Sequence, residues 1–109
     1  MTTPKPGTPV RGSRTGRPIM AALDLLGRRW ALRVLWELRD GPLSFRELRA
    51  RCDQMSTSVL NQRIAELRDA GLVESEGGYR LTKMGMQLQD SLEPLDRWAK
   101  RWAVRRPLT

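Results

Sequence analysis

The chain has 109 residues, in which 20 Lys and Arg stand against 12 Asp and Glu, giving a net charge of +8 with no His. That length makes one domain with a modest core, and the basic excess favours a polyanionic partner. An enzyme is not expected, and no cofactor: there is no His, the lone Cys52 has no evident base partner, and neither a phosphate-binding Gly loop nor clustered metal ligands are present.

The N-terminal stretch lacks the apolar run of a signal peptide, and no segment reaches the roughly 20 apolar residues of a membrane span. A cytoplasmic location without a membrane partner is therefore expected. Residues 1 to 17 are rich in Pro, Gly and Thr, carry Lys5, Arg11, Arg14 and Arg17, and contain no acid. Such a basic tail cannot bury a core and is expected to be disordered when unbound. Its Arg14-Thr15-Gly16-Arg17-Pro18 partly resembles the Arg-Gly-Arg-Pro core of AT-hook peptides. A minor-groove arm and a plain linker are the two readings of it.

The folded domain is expected over residues 18 to 106. Pro18 suits the first turn of a helix running from Ile19 to Leu26 and closed by Gly27. A second helix follows from about Trp30 to Leu38, with Trp30, Val34, Leu35 and Leu38 at core spacing. Asp40, Gly41 and Pro42 end it.

Leu43 to Leu72 reads as two short capped helices joined by a tight turn. Ser44 and Glu47 form an S-x-x-E capping box, and Phe45, Leu48 and Cys52 share one face. After the turn at Asp53 and Gln54, Ser56 is the N-cap of the second helix, with Met55 and Leu60 placed as a hydrophobic staple. Gly71 falls at C′, and Leu67 and Leu72 take the two positions that meet in a Schellman motif. At about 100° per residue Leu60, Ile64 and Leu67 form a narrow stripe, with Ser58, Gln62 and Ala65 opposite and Asn61 flanking them, and the outward face of the helix is read as Thr57, Ser58, Asn61 and Gln62. A merely solvated face is the alternative, but such a face more often carries Glu and Lys pairs. Asn and Gln pair bidentately with adenine, and Ser and Thr contact base or phosphate. Glu66 and Asp69 come later, where the helix should be leaving the groove.

Past Gly71 the period changes. Leu72 to Glu76 and Tyr79 to Thr82 are strand candidates around Gly77-Gly78, a dipeptide suited to a tight hairpin. Two helices followed by a hairpin make a winged helix-turn-helix. Arg80 is the one basic side chain of the hairpin, a candidate for phosphate or minor-groove contact, whereas Glu74 and Glu76 argue against deep insertion.

From Lys83 the helical period returns over about residues 83 to 104, with Leu88, Leu92, Leu95, Trp98 and Trp102 three or four apart. Pro94 should kink this helix or mark the join of two. So apolar a terminal helix is read as a homodimer seam, the alternative being that both tryptophans pack on the same chain's first helices.

Ala22-Leu23-Asp24-Leu25-Leu26-Gly27-Arg28-Arg29-Trp30, Asp40-Gly41-Pro42-Leu43-Ser44-Phe45-Arg46-Glu47-Leu48, Val59-Leu60-Asn61-Gln62-Arg63-Ile64-Ala65-Glu66-Leu67 and Gly71-Leu72-Val73 resemble, in order, the signatures of HxlR-type transcriptional regulators, within the MarR-like superfamily. Tyr79 to Gly85 and Leu95 to Trp98 continue the match, which covers about residues 18 to 102. The resemblance implies a mainly α fold with a small β-hairpin, a winged helix-turn-helix with N- and C-terminal dimerisation helices. It also implies a homodimer that regulates transcription at a two-fold operator. Many relatives carry a Cys before the Pro that opens the first helix, and in some it senses electrophiles or oxidants. This chain has Arg17 there, which excludes thiol sensing at that place. The hairpin is also shorter than the family's usual wing and lacks its proline-containing tip.

The expected function is that of a sequence-specific double-stranded DNA-binding regulator, a repressor acting as a homodimer on a palindromic operator. Thr57, Ser58, Asn61 and Gln62 would face the major groove. Arg63 would reach phosphate or brace the helix, and Arg46, Arg49 and Arg80 would position the backbone. Arg28 and Arg29 are weaker candidates. A constitutive architectural DNA binder of low specificity is the nearest rival, and an RNA-binding or protein-docking winged helix a more distant one. An effector, its chemistry unspecified by the sequence, would take the dimer cleft by default.

Overall fold

The computed structural model describes residues 3–9 and 16–105, and in it Pro18 opens α1 (Pro18–Leu26), where a missing N–H removes no helical hydrogen bond. Gly27 closes the helix for a steric reason: a Cβ there would lie 2.8 Å from the Leu23 carbonyl oxygen. α2 (Ala31–Glu37) is one residue shorter at each end than its periodicity suggests. Trp30 takes a left-handed φ of 76° and serves as N-cap, and Leu38 is the C-cap. Val34, Leu35 and Leu38 nonetheless enter the core, and Trp30 packs against it.

α3 (Phe45–Arg51) and α4 (Thr57–Asp69) are fixed at their ends by the bonds the sequence suggests. The Glu47 N–H donates to Ser44 Oγ at 3.1 Å, and the Ser44 N–H donates to Glu47 Oε1 at 2.9 Å. At the far end of α4 the Leu72 N–H donates to the Leu67 carbonyl at 2.9 Å, and the Gly71 N–H to that of Arg68 at 3.0 Å. These are the two bonds of a Schellman motif, with Gly71 at φ +80°. Leu48, Cys52, Met55, Leu60, Ile64 and Leu67 fill the space between α2, α3 and α4.

β1 (Val73–Ser75) and β2 (Tyr79–Leu81) pair antiparallel, Val73 opposite Leu81 and Ser75 opposite Tyr79, so Val73 and Leu81 point into the core. Each strand is shorter than expected. Leu43 adds an isolated antiparallel bridge to β2, exchanging backbone bonds of 2.9 and 2.8 Å with Tyr79 and joining the wing to the start of α3.

α5 (Lys83–Arg105) is one continuous helix containing Pro94, so of the kink and the join offered for Pro94 the join is absent. Pro94 and Asp90 are both exposed, so the carbonyl that loses its partner can be hydrated. The first turn of α5 docks tightly. Gly85 is buried, and a Cβ on it would come within 2.2 Å of the Leu72 carbonyl oxygen.

Part of the N-terminal leader lies against the body. Pro4 is buried, Lys5 pairs with Asp69 at 3.3 Å, and the Gly7 N–H donates to the Gly16 carbonyl. Pro4 lines an apolar cavity of about 630 Å³ together with Ala21, Leu25, Leu72, Met84 and Leu88. Arg11, Arg14 and Thr15, which carry much of the arm reading, lie outside the described residues, as does Arg106. No described helix is long and apolar enough to cross a membrane.

Candidate nucleic-acid interface

The turn that aims α4 is held by side chains, because its backbone is unusual. Asp53 and Gln54 both take left-handed φ values, 59° and 56°. Arg49 Nε donates to the Met55 carbonyl at 2.7 Å, and Arg33 Nη2 from α2 donates to that of Arg51 at 2.6 Å. Two guanidinium groups thus hold the end of α3 and the end of the connection that leads into α4. The Ser56 hydroxyl then accepts from the Val59 N–H and lies 3.0 Å from the Ser58 hydroxyl.

With Leu60, Ile64 and Leu67 buried beneath it, α4 exposes Thr57, Ser58, Asn61 and Gln62 to solvent. Arg46 is exposed on α3, in the same helix-turn-helix unit. These five side chains are open to a ligand approaching α4 from outside. Asn61 and Gln62 offer paired donors and acceptors, and Arg46 a positive charge.

The other expected contact residues are engaged within the chain. Arg49 holds the turn. Arg63 donates through Nε to the Arg29 carbonyl at 2.7 Å and pairs through Nη1 with Glu66 at 2.6 Å, the bracing half of the two roles expected for it. Arg80 pairs with Glu74 at 2.9 Å and Glu76 at 3.2 Å, so the charge of the wing is balanced by its own carboxylates. Glu66, in the half of α4 expected to leave the groove, is 7% exposed and bonded to Arg28 at 2.6 Å. Arg28 is likewise buried rather than displayed. Neither position was legible from helical spacing, although two arginines before Trp30 and an Arg63/Glu66 pair three apart were the available signal.

Cys52 is fully buried, and desolvation pushes its thiol above the ordinary range. It is therefore less readily converted to the reactive thiolate. Among the described residues no group of three His, Cys, Asp or Glu is arranged to hold a metal ion.

Away from α4, the apolar side chains of α5 are unevenly covered. Leu88 packs against the core and Leu92 is half-buried, whereas Leu95, Trp98 and Trp102 stay about half exposed. The two indoles stack on each other with centroids 5.5 Å apart. On α1, Ile19 and Leu23 are also open.

Residues 25–107 match the profile of the HxlR-like helix-turn-helix family. The chain belongs to that family. Over 87 residues it is 31% identical to the HTH-type transcriptional regulator YodB of Bacillus subtilis, covering 72% of this chain and 78% of the relative. Over 89 residues it is 30% identical to YvaP of the same organism, an uncharacterized HTH-type transcriptional regulator, covering 74% and 82%. The crystal structure of quinone-bound YodB superimposes with a TM-score of 0.71 at 32% identity, covering 76% of this chain and 96% of that one. The protein is thus an HxlR-type, DNA-binding transcriptional regulator with a winged helix-turn-helix fold, not an enzyme. Within the HxlR frame, α3 and α4 are the helix-turn-helix and β1-β2 the wing.

Proposed function

We propose that this HxlR-type regulator binds double-stranded DNA as a homodimer and represses transcription at a palindromic operator. Thr57, Ser58, Asn61 and Gln62 enter the major groove, and Arg46 holds phosphate. The observation that carries the reading is the exposure of both amides on a helix whose other side is anchored in the core. Asn and Gln discriminate bases through paired hydrogen bonds, and a solvent-facing helix anchored on its other side can lie in a groove about 12 Å wide. With Arg80 balanced by Glu74 and Glu76, the wing adds shape more than charge.

Dimerisation is supported by the half-exposed stripe of Leu95, Trp98 and Trp102 on α5 and by exposed Ile19 and Leu23 on α1. The rings stack on each other and remain half open, so the packing expected if they covered the chain's own first helices is incomplete. A two-fold dimer covers that stripe and presents two copies of α4. Repression then needs only occupancy, since a seated dimer excludes other proteins from the same DNA.

Selection of binding sites from random duplex DNA with the purified protein tests this reading. It should return a palindrome with half-sites about 10 bp apart, or a multiple of that spacing. Retention without sequence preference would instead indicate an architectural binder.

A further inference from the structure

Four charged side chains meet on one flank of α4. Glu66 receives Arg28 Nη1 on one oxygen at 2.6 Å and Arg63 Nη1 on the other at 2.6 Å. Arg28 Nη2 also lies 3.8 Å from Asp24 of α1, and Arg63 Nε binds the Arg29 carbonyl. The side chains of Asp24, Arg28, Glu66 and Arg63 are 10%, 5%, 9% and 15% exposed, too covered to serve as a phosphate-gripping patch. The apolar stripe of α4 chooses which side faces inward, but apolar contact is non-directional and tolerates small rolls of the helix. Charge-assisted bonds to both oxygens of one carboxylate are directional and do not.

Gln62 stands one turn before Glu66 and adjoins Arg63, so whatever fixes the roll at Glu66 fixes it at Gln62. Side-chain tips lie about 6 Å from the helix axis, and a roll of about 10° moves them by about 1 Å. Base reading tolerates about half that displacement.

We propose that Arg28, acting through buried Glu66, is a positioning residue for base reading: it sets the roll of α4 from the α1–α2 turn so that Asn61 and Gln62 meet the groove in register. The inference rests on the DNA-reading function above. It also gives α1 a part in recognition, because Asp24 belongs to the same cluster and neighbours Leu23, one of the exposed residues assigned to the dimer seam.

The test uses the full-length protein, its selected duplex and a scrambled duplex at matched salt. The double variant Arg28→Met/Glu66→Gln removes the buried pair, leaves the net charge at +8 and keeps an amide oxygen for Arg63 to bond. Replacing both partners avoids leaving Glu66 without Arg28, so its Tm is expected above that of Arg28→Met alone. Affinity for the selected duplex should fall about tenfold, the lower range of a lost base contact, with the scrambled duplex unaffected. A merely structural cluster would give a double variant that regains both stability and the wild-type affinity ratio, and that result overturns the proposal. Should the double variant not fold, Arg28→Lys decides: it keeps the charge but cannot hold Glu66 and Asp24 in one planar fork, and an unchanged ratio again overturns it. Wild-type protein without preference for any duplex would refute the DNA-reading function instead, a distinguishable result.

Discussion

Replacing Trp98 by Ala tests the seam proposed for the homodimer. The ring is 49% exposed, and burial of a whole Trp removes up to about 250 Å² from water, so about 100 Å² remains to be covered by a partner. At about 25 cal/mol per Å² the loss is about 2.5 kcal/mol per protomer. The two-fold axis doubles it to about 5 kcal/mol per dimer. The dissociation constant should therefore rise by about three and a half orders of magnitude. Sedimentation velocity over a dilution series measures it. Wild type should sediment as a dimer at micromolar concentration and the variant as a monomer, with the helical content of the domain retained because Leu88 still packs on the core. A wild-type monomer, or a variant that dimerises as tightly as wild type, would refute the assignment of this face.

Two further outcomes follow from the packing and the caps. Gly85→Ala places a methyl 2.2 Å from the Leu72 carbonyl oxygen, a backbone atom that cannot swing aside, so α5 must shift. Denaturant unfolding should show a loss of about 1–3 kcal/mol or more, and an unchanged midpoint would mean that α5 does not dock there. The Glu47 carboxyl is held below its ordinary range, chiefly by the Ser44 N–H and then by the Ser44 hydroxyl. A depressed folded pKa stabilises fully above the unfolded value, and the contribution is lost as pH falls through the folded one. The stability difference between wild type and Glu47→Ala should accordingly shrink from about pH 7 to about pH 3, and a constant difference would show that the carboxylate contributes nothing.

The helix-turn-helix was legible because its signals are local. Ser44 and Glu47 are three residues apart, Leu67 and Leu72 five, and each pair closes its own bonds without help from the rest of the chain. The same holds for the exposed amides, since a 3.6-residue period and a buried stripe of Leu60, Ile64 and Leu67 turn Gln62 outward and put Asn61 on its flank. What escaped depends on distant partners or on solvent. Pro94 reads equally as a kink or as a join of two helices until its surroundings are known to be exposed. Glu66 reads as a surface acid until Arg28, 38 residues earlier, is found against it. Counting charge likewise gave the basic excess but not its use: Arg49, Arg63 and Arg80 are engaged inside the chain, leaving Arg46 as the exposed member of the four expected contacts.

The central claim is that the exposed face of α4 reads bases. The most direct measurement is the affinity of Gln62→Ala for the selected operator and for a scrambled duplex at the same ionic strength. A base-reading Gln62 predicts a loss of about 1–3 kcal/mol on the operator and little on the scrambled sequence. Equal loss on both duplexes, or none on either, would contradict it.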